Sequence, residues 1–577
     1  MAKIDGGTML VRVLLQAGVD TVFTLHGGHL DAILQAAQAA GLRLVDTRHE
    51  QAAGHAADGW ARTTGKPGVV LVTAGPGFTD CVTAITNAYL DCVPTLFIAG
   101  AAPLRDAETL PLQGGIDQVA MVTPVTKWAH RVTHTERIPD LVAQALRIAT
   151  TGRPGPVFLE LPVDVLVARV DEERVSFPRK IAPDTAPAPS PHAVETVLAW
   201  IEEAKRPAIL VGGGAWFSGC GTELRQFAEL TRIPVFSNGK AHGLLPASHP
   251  LSGRSFANLG VAAQAGMEAD LVLLFGARLG LFTRGARLIP PAARVVQVDI
   301  AGEEIGRNRY VDLGIAADCR ETLRALLDSA WHLFWPEREE WLAHIRSARE
   351  AHQVAYAEAM ARQTGPVHPY RLVTEIASAL PPGAIVAADG GETSTWMEMV
   401  AEVEGGGSWM SHGYLGCLGT GMPFAIAAKV AHPDRPVLCV VGDGSVGLNF
   451  AEFDTMMRHH LPIVTVVNND QLWGMSAHGQ DLVYGPGRRV ATELGPIRYD
   501  LAAAGFGCHA EYVEEPGELA AALERAFASG RPACVNVMTD GSVVSPVTIA
   551  MVGEARPSES TGGRETITLP YYENLEA

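Results

Sequence analysis

One stretch constrains this chain more than any other: VLCVVGDGSVGLNFAEFDTMMRHHLPIVTVVNNDQLWGM, from Val437 to Met475. An apolar run, Val437 to Val441, ends in Gly442-Asp443-Gly444-Ser445, and a second, Ile463 to Val467, ends in Asn468-Asn469-Asp470. Between them Phe450, Phe453, Met456 and Met457 recur at helical spacing. The pattern predicts strand, Gly-rich turn, helix and strand, a βαβ unit whose polar ends lie where parallel sheets bind ligands. Gly442 and Gly444 let backbone approach a phosphate, and Ser445 can open a helix whose N-terminus favours anions. Asp443 is a hard oxygen ligand; Asp470, or Asn469 beside it, is a second. Two side-chain oxygens, a backbone carbonyl and a diphosphate would complete a Mg²⁺ site. A lone Gly-Asp-Gly would mean only a tight turn; with the helix and the Asn/Asp pair it points to a metal–diphosphate site.

The preceding chain follows the same alternation. From residue 1 to about 170 the pattern predicts helix 8–17, strand 21–25, helix 30–40, strand 42–46, helix 51–63, strand 68–73, helix 78–88, strand 94–99 and a late strand Val157–Pro162. That is a doubly wound parallel sheet. Its turns include Leu25-His26-Gly27-Gly28-His29 and Thr73-Ala74-Gly75-Pro76-Gly77. Glu50 follows a strand and precedes small residues, where a carboxylate favours a helix N-terminus. His29 reads equally as a cap or a cleft residue, and Gln113 alone carries no signal. VSFPRKIAPDTAPAPSP, residues 175–191, is a Pro/Ala linker. A second α/β unit follows, with strands 208–211, 233–236, 271–275 and 294–299; its Gly212-Gly213-Gly214 lacks the full spacing of a nucleotide fingerprint. Residues 331–367 are charged and helical, with Trp331, Phe334, Trp335, Trp341 and Ile345 as a packing stripe. Strand 384–388 leads into Asp389-Gly390-Gly391-Glu392-Thr393, a diphosphate-side loop, and a helix is predicted over 421–431. In the polar tail from 546 the first half reads as disordered, and the Tyr571-Tyr572 end as either a lid or mobile.

Composition excludes several partners. The formal net charge is −18 with no basic run, which argues against nucleic acid and anionic membrane. The eight cysteines are scattered without a CxxC, as reduced core residues of a cytoplasmic protein. Arg12, Gln16 and Asp20 interrupt the first helix, so no signal peptide is expected, and no stretch is apolar enough to span a membrane.

LHGGHLDAILQA, VDTRHEQAAGHAADGWAR, VLVTAGPGFT, LQGGIDQVAMVTPVTKWAHR and HGYLG, with the opening stretch, resemble the thiamine-diphosphate-dependent enzymes of the acetolactate-synthase-like superfamily, closest to benzaldehyde lyase. The match is dense over 1–165 and 385–545, looser between, and fails in the tail. It implies an α/β fold of three doubly wound parallel-sheet domains: pyrimidine-binding (1–172), central (192–330) and diphosphate-binding (368–545). A linker (173–191), a helical connector (331–367) and a tail or lid (546–577) complete the chain. It implies thiamine diphosphate and Mg²⁺ as cofactors, and a homo-oligomer, a homotetramer built as a dimer of dimers, with a site shared between two subunits.

Residue by residue, the resemblance makes Glu50 the carboxylate that activates the cofactor's pyrimidine ring. His29 and Gln113 face the substrate and move protons, while Thr73 and Pro76 line the pyrimidine side. Gly391, Glu392, Thr393, Gly442, Gly444 and Ser445 belong to the diphosphate side. Gly416 and Leu418 lie on the loop that bends the cofactor, with Leu418 as the wedge, and Gly474 and Met475 follow the metal loop. Asp443, Asp470 and the Leu472 carbonyl hold the metal, with Asn469 as the alternative. Arg278, Asp299 and Asp318 stand where some relatives contact FAD or ADP. The implied reaction joins aldehydes reversibly to 2-hydroxy ketones. The alternatives are a 2-hydroxyacyl-CoA lyase, an acetolactate-synthase-like decarboxylase, and a regulatory subunit that would lack Glu50. Val163, Ser394 and Gly479 replace bulky pocket residues of benzaldehyde lyase, Met475 replaces a small one and Gly28 an Ala, so the pocket is expected to be wider in places.

Overall fold

The computed structural model describes residues 2–283 and 287–552. Among the described residues three six-stranded sheets form, each parallel at every pairing, and Lys3–Asp5 pairs antiparallel with Arg169–Asp171 as a small separate sheet. Parallel strands need crossovers, and helices covering both faces bury the central strands completely. This is why Val69–Val72, Leu271–Phe275 and Val437–Val441 are continuous apolar runs with almost no exposure.

The N-terminal sheet lies in the order Arg43–Asp46, Thr21–Thr24, Gly68–Val72, Thr95–Ala101, Val157–Pro162, Trp128–Arg131. The C-terminal sheet lies in the order Trp409–Ser411, Ile385–Asp389, Val437–Gly442, Ile463–Asn469, Ala533–Met538, His509–Val513. Numbered along the chain within each sheet, both read 2-1-3-4-6-5. The central sheet runs from Ser252–Ser255 through Val235–Ser237, Pro207–Val211, Leu271–Phe275 and Arg294–Asp299 to Leu313–Ala316, or 3-2-1-4-5-6. In each outer sheet the order reverses between the first and third strands, which opens a crevice at their carboxyl ends.

Seven helices matter below: α1 (Glu50–Thr64), α2 (Pro76–Leu90), α3 (Gly391–Val400), α4 (Gly421–Ala431), α5 (Asp443–Leu448), α6 (Gly474–Tyr484) and α7 (Pro546–Val552). Packing gathers the chain into two compact units. Of the described residues, the first holds those up to Ala186 with His412–Asp434 and Asn449–Leu461; the second holds those of Pro187–Ser411, Arg435–Leu448 and Pro462–Val552. Within the first, α4 packs along α1. The approach is close because α1 is lined with Ala52, Ala53, Gly54, Ala56, Ala57 and Gly59; a Cβ at Gly59 would lie 2.9 Å from the Phe424 backbone.

Four sequence expectations change. The helix read between Gly444 and Ile463 is two short ones, α5 and Glu452–Arg458, and Asn449 in the break donates to the Gly419 carbonyl at 2.7 Å. Of the aromatic stripe, Trp335, Trp341 and Ile345 are buried, but Trp331 and Phe334 are 72% and 88% exposed. Residues 331–338 are not helical, so a helical period does not apply to them. Trp128–Arg131, Ser252–Ser255, Leu313–Ala316, Trp409–Ser411 and His509–Val513 are strands that no apolar run announced; all are edges, with one side left unpaired. The tail does not start disordered, since α7 is helical; Tyr571 and Tyr572 lie outside the described residues.

The stripe offers a direct check. Trp335→Ala should cost about 3–5 kcal/mol, as removal of a buried indole does. Phe334→Ala should stay within about 0.5 kcal/mol. Urea unfolding followed by circular dichroism compares the two, and equal losses would refute the assigned burial.

Candidate active site

Two sets of predicted residues lie at the two crevices, one in each unit. In the first unit, the turns after Thr21–Thr24 and Gly68–Val72 face each other. His29 reaches across so that Nδ1 lies 3.3 Å from the Thr73 hydroxyl. Burial lowers its pKa, which keeps the imidazole neutral around pH 7. With Nδ1 engaged, Nε2 is the nitrogen left to meet a substrate. Glu50 opens α1, behind His49, whose Nδ1 accepts from the Gln51 N–H at 3.0 Å. Its carboxylate lies against the start of α2, where a Cβ on Gly77 would come within 3.0 Å of Oε1. Pro76 takes the first position of α2. Gly75 has φ +66, and a Cβ there would lie 3.0 Å from the Gln113 Cβ. Gln113 is itself left-handed at φ +59. Glu50, His29, Thr73 and Gln113, far apart in sequence, are therefore drawn around one turn.

Sequence reasoning missed what fixes that turn. Gln118 accepts from the Gly75 N–H at 3.1 Å and donates to the Gly100 carbonyl at 3.0 Å and to Glu160 Oε2 at 3.1 Å. Glu160 is buried, hydrogen-bonded to Arg131. The signal was present in Val157–Pro162, where a single carboxylate interrupts an apolar strand and must find a partner. Glu452 was missed too, although it lies inside the opening stretch. It is buried, accepts from the Arg48 N–H at 3.0 Å and the Thr455 hydroxyl at 2.6 Å, and is pushed up to about 7 by burial. It thereby anchors the backbone two residues before Glu50. Gly416, left-handed and exposed, and half-buried Leu418 lie on the loop before α4 in this unit.

In the second unit, three neighbouring strand ends converge. Ile385–Asp389 runs into α3, Val437–Gly442 into α5, and Ile463–Asn469 into the loop before α6. Asp443 is buried; its Oδ1 accepts from the Gly444 N–H at 2.9 Å and its Oδ2 has no partner. Burial, then the Asp470 carboxylate, pushes it up to about 8, and burial pushes Asp470 up to about 6. Asp470 Oδ1 accepts from the Leu472 N–H at 3.0 Å. Asn469 turns its amide away, donating to the Asn536 side chain and the Ile497 carbonyl, each at 3.0 Å. Of the two residues the sequence left open, Asp470 thus acts on Asp443.

The rest of this crevice is closely fitted. A Cβ on Gly444 would lie 2.6 Å from Trp473, so the turn admits only glycine. Ser445 is buried in α5, at the end of the strand closed by Gly442. Thr393 accepts from Asn468 Nδ2 at 2.9 Å, and the Cβ of Met475 would lie 3.0 Å from one on Gly391. A Cβ on Gly474 would meet Asp470 Oδ2 at 2.9 Å. Glu392, read from the sequence on the diphosphate side, forms a buried ion pair with His478 at 3.0 Å and accepts from the Thr548 hydroxyl of α7 at 2.5 Å. Burial opposes the charge on His478, but Glu392 outweighs it and raises the pKa. Tyr499, also missed, donates to the Asp443 carbonyl at 3.0 Å. In the central sheet, Asp299 accepts from the Ala301 N–H at 2.9 Å, and Asp318 caps Cys319–Ala330. Arg278 follows Leu271–Phe275.

Two neighbouring carboxylates, both raised by burial and one with an oxygen unpartnered, fit a divalent cation. Among the described residues no cluster of three or more His, Cys, Asp or Glu could hold a metal. The remaining ligands must then be carbonyl, water or a bound oxyanion, which suits Mg²⁺ on a diphosphate.

Residues 4–121, 194–326 and 389–537 match three families, described as thiamine pyrophosphate enzyme, N-terminal TPP binding domain; central domain; and C-terminal TPP binding domain. A probable acetolactate synthase of Mycobacterium bovis is 35% identical over 549 residues, covering 94% of this chain and 97% of that protein. The acetolactate synthase isozyme 1 large subunit of Escherichia coli is 32% identical, covering 93% and 94%. The 2-hydroxyacyl-CoA lyase 2 of Bos taurus is 31% identical, covering 94% and 93%.

The carboxylate pair generates a test. Asp443→Ala should relieve the repulsion and leave the metal-free protein at least as stable as the parent. It should also weaken Mg²⁺-dependent binding of thiamine diphosphate by ~100-fold or more, the scale of losing one charged partner of about 3 kcal/mol. Thermal unfolding with and without cofactor and Mg²⁺ reads both effects.

Proposed function

This chain belongs to the thiamine pyrophosphate enzymes, in the branch of the acetolactate synthases, and from that premise we propose a carbon–carbon lyase and carboligase that joins aldehydes reversibly to 2-hydroxy ketones. When bound, thiamine diphosphate supplies a nucleophilic carbon and an electron sink for breaking the bond between a carbonyl and its neighbouring carbinol. Asp443, Asp470 and the Leu472 carbonyl would hold Mg²⁺ on the diphosphate. Glu50 holds a proton on the pyrimidine ring. His29 Nε2 takes the substrate hydroxyl proton as the carbon–carbon bond breaks and returns it in the joining direction. Gln113 orients the carbonyl oxygen.

One observation carries the aldehyde reading: the groups gathered around Gly75 beside Glu50 are a neutral imidazole, a hydroxyl and an amide. These suit neutral carbonyl and hydroxyl groups. A second reading, cleavage of a 2-hydroxyacyl-CoA, is favoured by relatives that carry that name in Bos taurus and Caenorhabditis elegans. Both reactions break the same kind of bond and use the same proton traffic. The reading brings with it a homotetramer, a dimer of dimers. Leu110 and Leu112, 83% and 87% exposed beside Gln113, support a covered surface there.

The protein with thiamine diphosphate and Mg²⁺ should form benzoin from benzaldehyde and cleave it, without making acetolactate from pyruvate. Acetolactate formation would overturn the reading in favour of the decarboxylating branch; cleavage of a 2-hydroxyacyl-CoA alone would favour the second. Glu50→Gln should keep cofactor affinity and lose kcat by roughly 10²–10⁴-fold. His29 works in its neutral form, so activity should fall as pH drops through a pKa below 6.5. That acid limb should vanish from the residual activity of His29→Ala.

A further inference from the structure

The first unit contains a buried charge cluster that the chemistry above does not use. Arg62, on α1, donates from Nε to Asp58 Oδ1 at 2.6 Å and from Nη2 to Asp91 Oδ2 at 2.8 Å. Asn87 Nδ2 donates to Asp58 Oδ2 at 2.8 Å. All four side chains are buried, and the two carboxylates hold the guanidinium charged against its desolvation. The other oxygen of Asp91, Oδ1, accepts from the backbone N–H of Tyr414 at 3.0 Å. Next to it, a Cβ on Gly413 would overlap the Asp91 carboxylate. The Arg62 guanidinium also lies 4.8 Å from the Phe424 ring centre on α4. A second tether lies further along the same loop, where the Cys417 thiol is 3.6 Å from His55 Nε2 on α1.

These contacts join two segments distant in sequence. Asp58, Arg62, Asn87 and Asp91 belong to the N-terminal TPP binding match, and Gly413, Tyr414, Cys417 and Phe424 to the C-terminal one. We propose that Asp91 is a positioning residue for cofactor binding: with Arg62 it pins the 412–418 loop onto α1, the helix that begins at Glu50. A buried carboxylate with two hydrogen-bonded partners has one low-energy position, and a glycine at 413 lets backbone close on it. The loop therefore inherits the rigidity of α1. The inference rests on thiamine diphosphate being the cofactor and not on which substrate is taken.

The experiment measures the Kd of thiamine diphosphate, with Mg²⁺, by titration calorimetry, together with the melting temperature of the cofactor-free protein. Asp91→Ala and Gly413→Ala should each raise Kd roughly tenfold or more, the scale of one lost charge-assisted contact. The double variant should be no worse than the more affected single one, because removing the carboxylate vacates the space that a methyl added at position 413 needs. Asp91→Asn, which keeps an acceptor for Tyr414, should bind more tightly than Asp91→Ala and serves if the latter does not fold. Glu223→Gln, which removes the charge of a carboxylate paired with half-exposed Arg320 and Arg324 in the central domain, should lower the melting temperature and leave Kd unchanged. Unchanged Kd in Asp91→Ala, additive losses in the double variant, or an equal Kd rise in Glu223→Gln would overturn the proposal. A parent protein that binds no thiamine diphosphate would instead sink the cofactor assignment.

Discussion

A parallel sheet binds a small ligand at its carboxyl edge where neighbouring crossovers leave in opposite directions, and all three sheets of this chain meet that condition, the outer two with the same strand order, 2-1-3-4-6-5. At each reversal, backbone turns and helix starts face a space that no crossover covers. In the N-terminal sheet the reversal brings His29, Glu50 and the Thr73–Gly77 turn together. In the C-terminal sheet it brings the starts of α3 and α5 beside the 470–473 loop. Most of the predicted residues follow from where those strands end. The central sheet has a different order, and there Asp299 and Asp318 satisfy nearby backbone N–H groups.

Electrostatics distinguishes the working crevices from the supporting structure. Buried charge is tolerated when paired and costly when not. Asp58, Arg62 and Asp91 form a closed set, as do Glu392 and His478. Asp443 and Asp470 are the exception: two carboxylates are neighbours where burial raises both, and the second raises the first further. A fold gains nothing from such a pair, so a cation is the natural counterpart. At Glu50 the demand is for an accessible carboxylate, and the stabilising work passes to neighbours. Glu452 secures the Arg48 N–H, and Gln118 with Glu160 secures Gly75.

Most long buried strands and glycine turns were legible in the sequence because they obey local rules, though the buried inner strand Ala533–Met538 was not read. Val437–Gly442, Ile463–Asn469 and α4 lie where periodicity and turn residues put them. Edge strands such as Trp128–Arg131 were not legible, since half-exposed strands need no apolar run. The stripe at 331–345 misled because a helical period was extended over a segment that is not a helix. Glu392 stood in a Gly-rich loop that suggested the diphosphate; only tertiary packing supplied His478 and Thr548 as its partners. Gln113 lies in a loop and Gln118, five residues on, opens the helix Gln118–Val122, and the chain alone offered no reason to single out Gln118 as the residue that supports the turn.

The same packing shows what stands beside the small residues of α6 and α3. Gly479 stands where a bulky residue was expected, yet the space beside it is not empty: Val552 of α7 comes within 3.8 Å of where its Cβ would be. Ser394 is buried on α3, and Met475 fills the space over Gly391. Bulk removed at one position is thus returned from another element. What holds α7 against α6 is the Glu392 carboxylate, which accepts from both His478 and Thr548, and the Ser545 N–H that reaches it at 3.3 Å. A small residue on α6 and a carboxylate on α3 are two parts of one device: the first makes room for α7 and the second fastens it. The shape of this side of the crevice is therefore set by how α7 docks as much as by the residues that line the sheet.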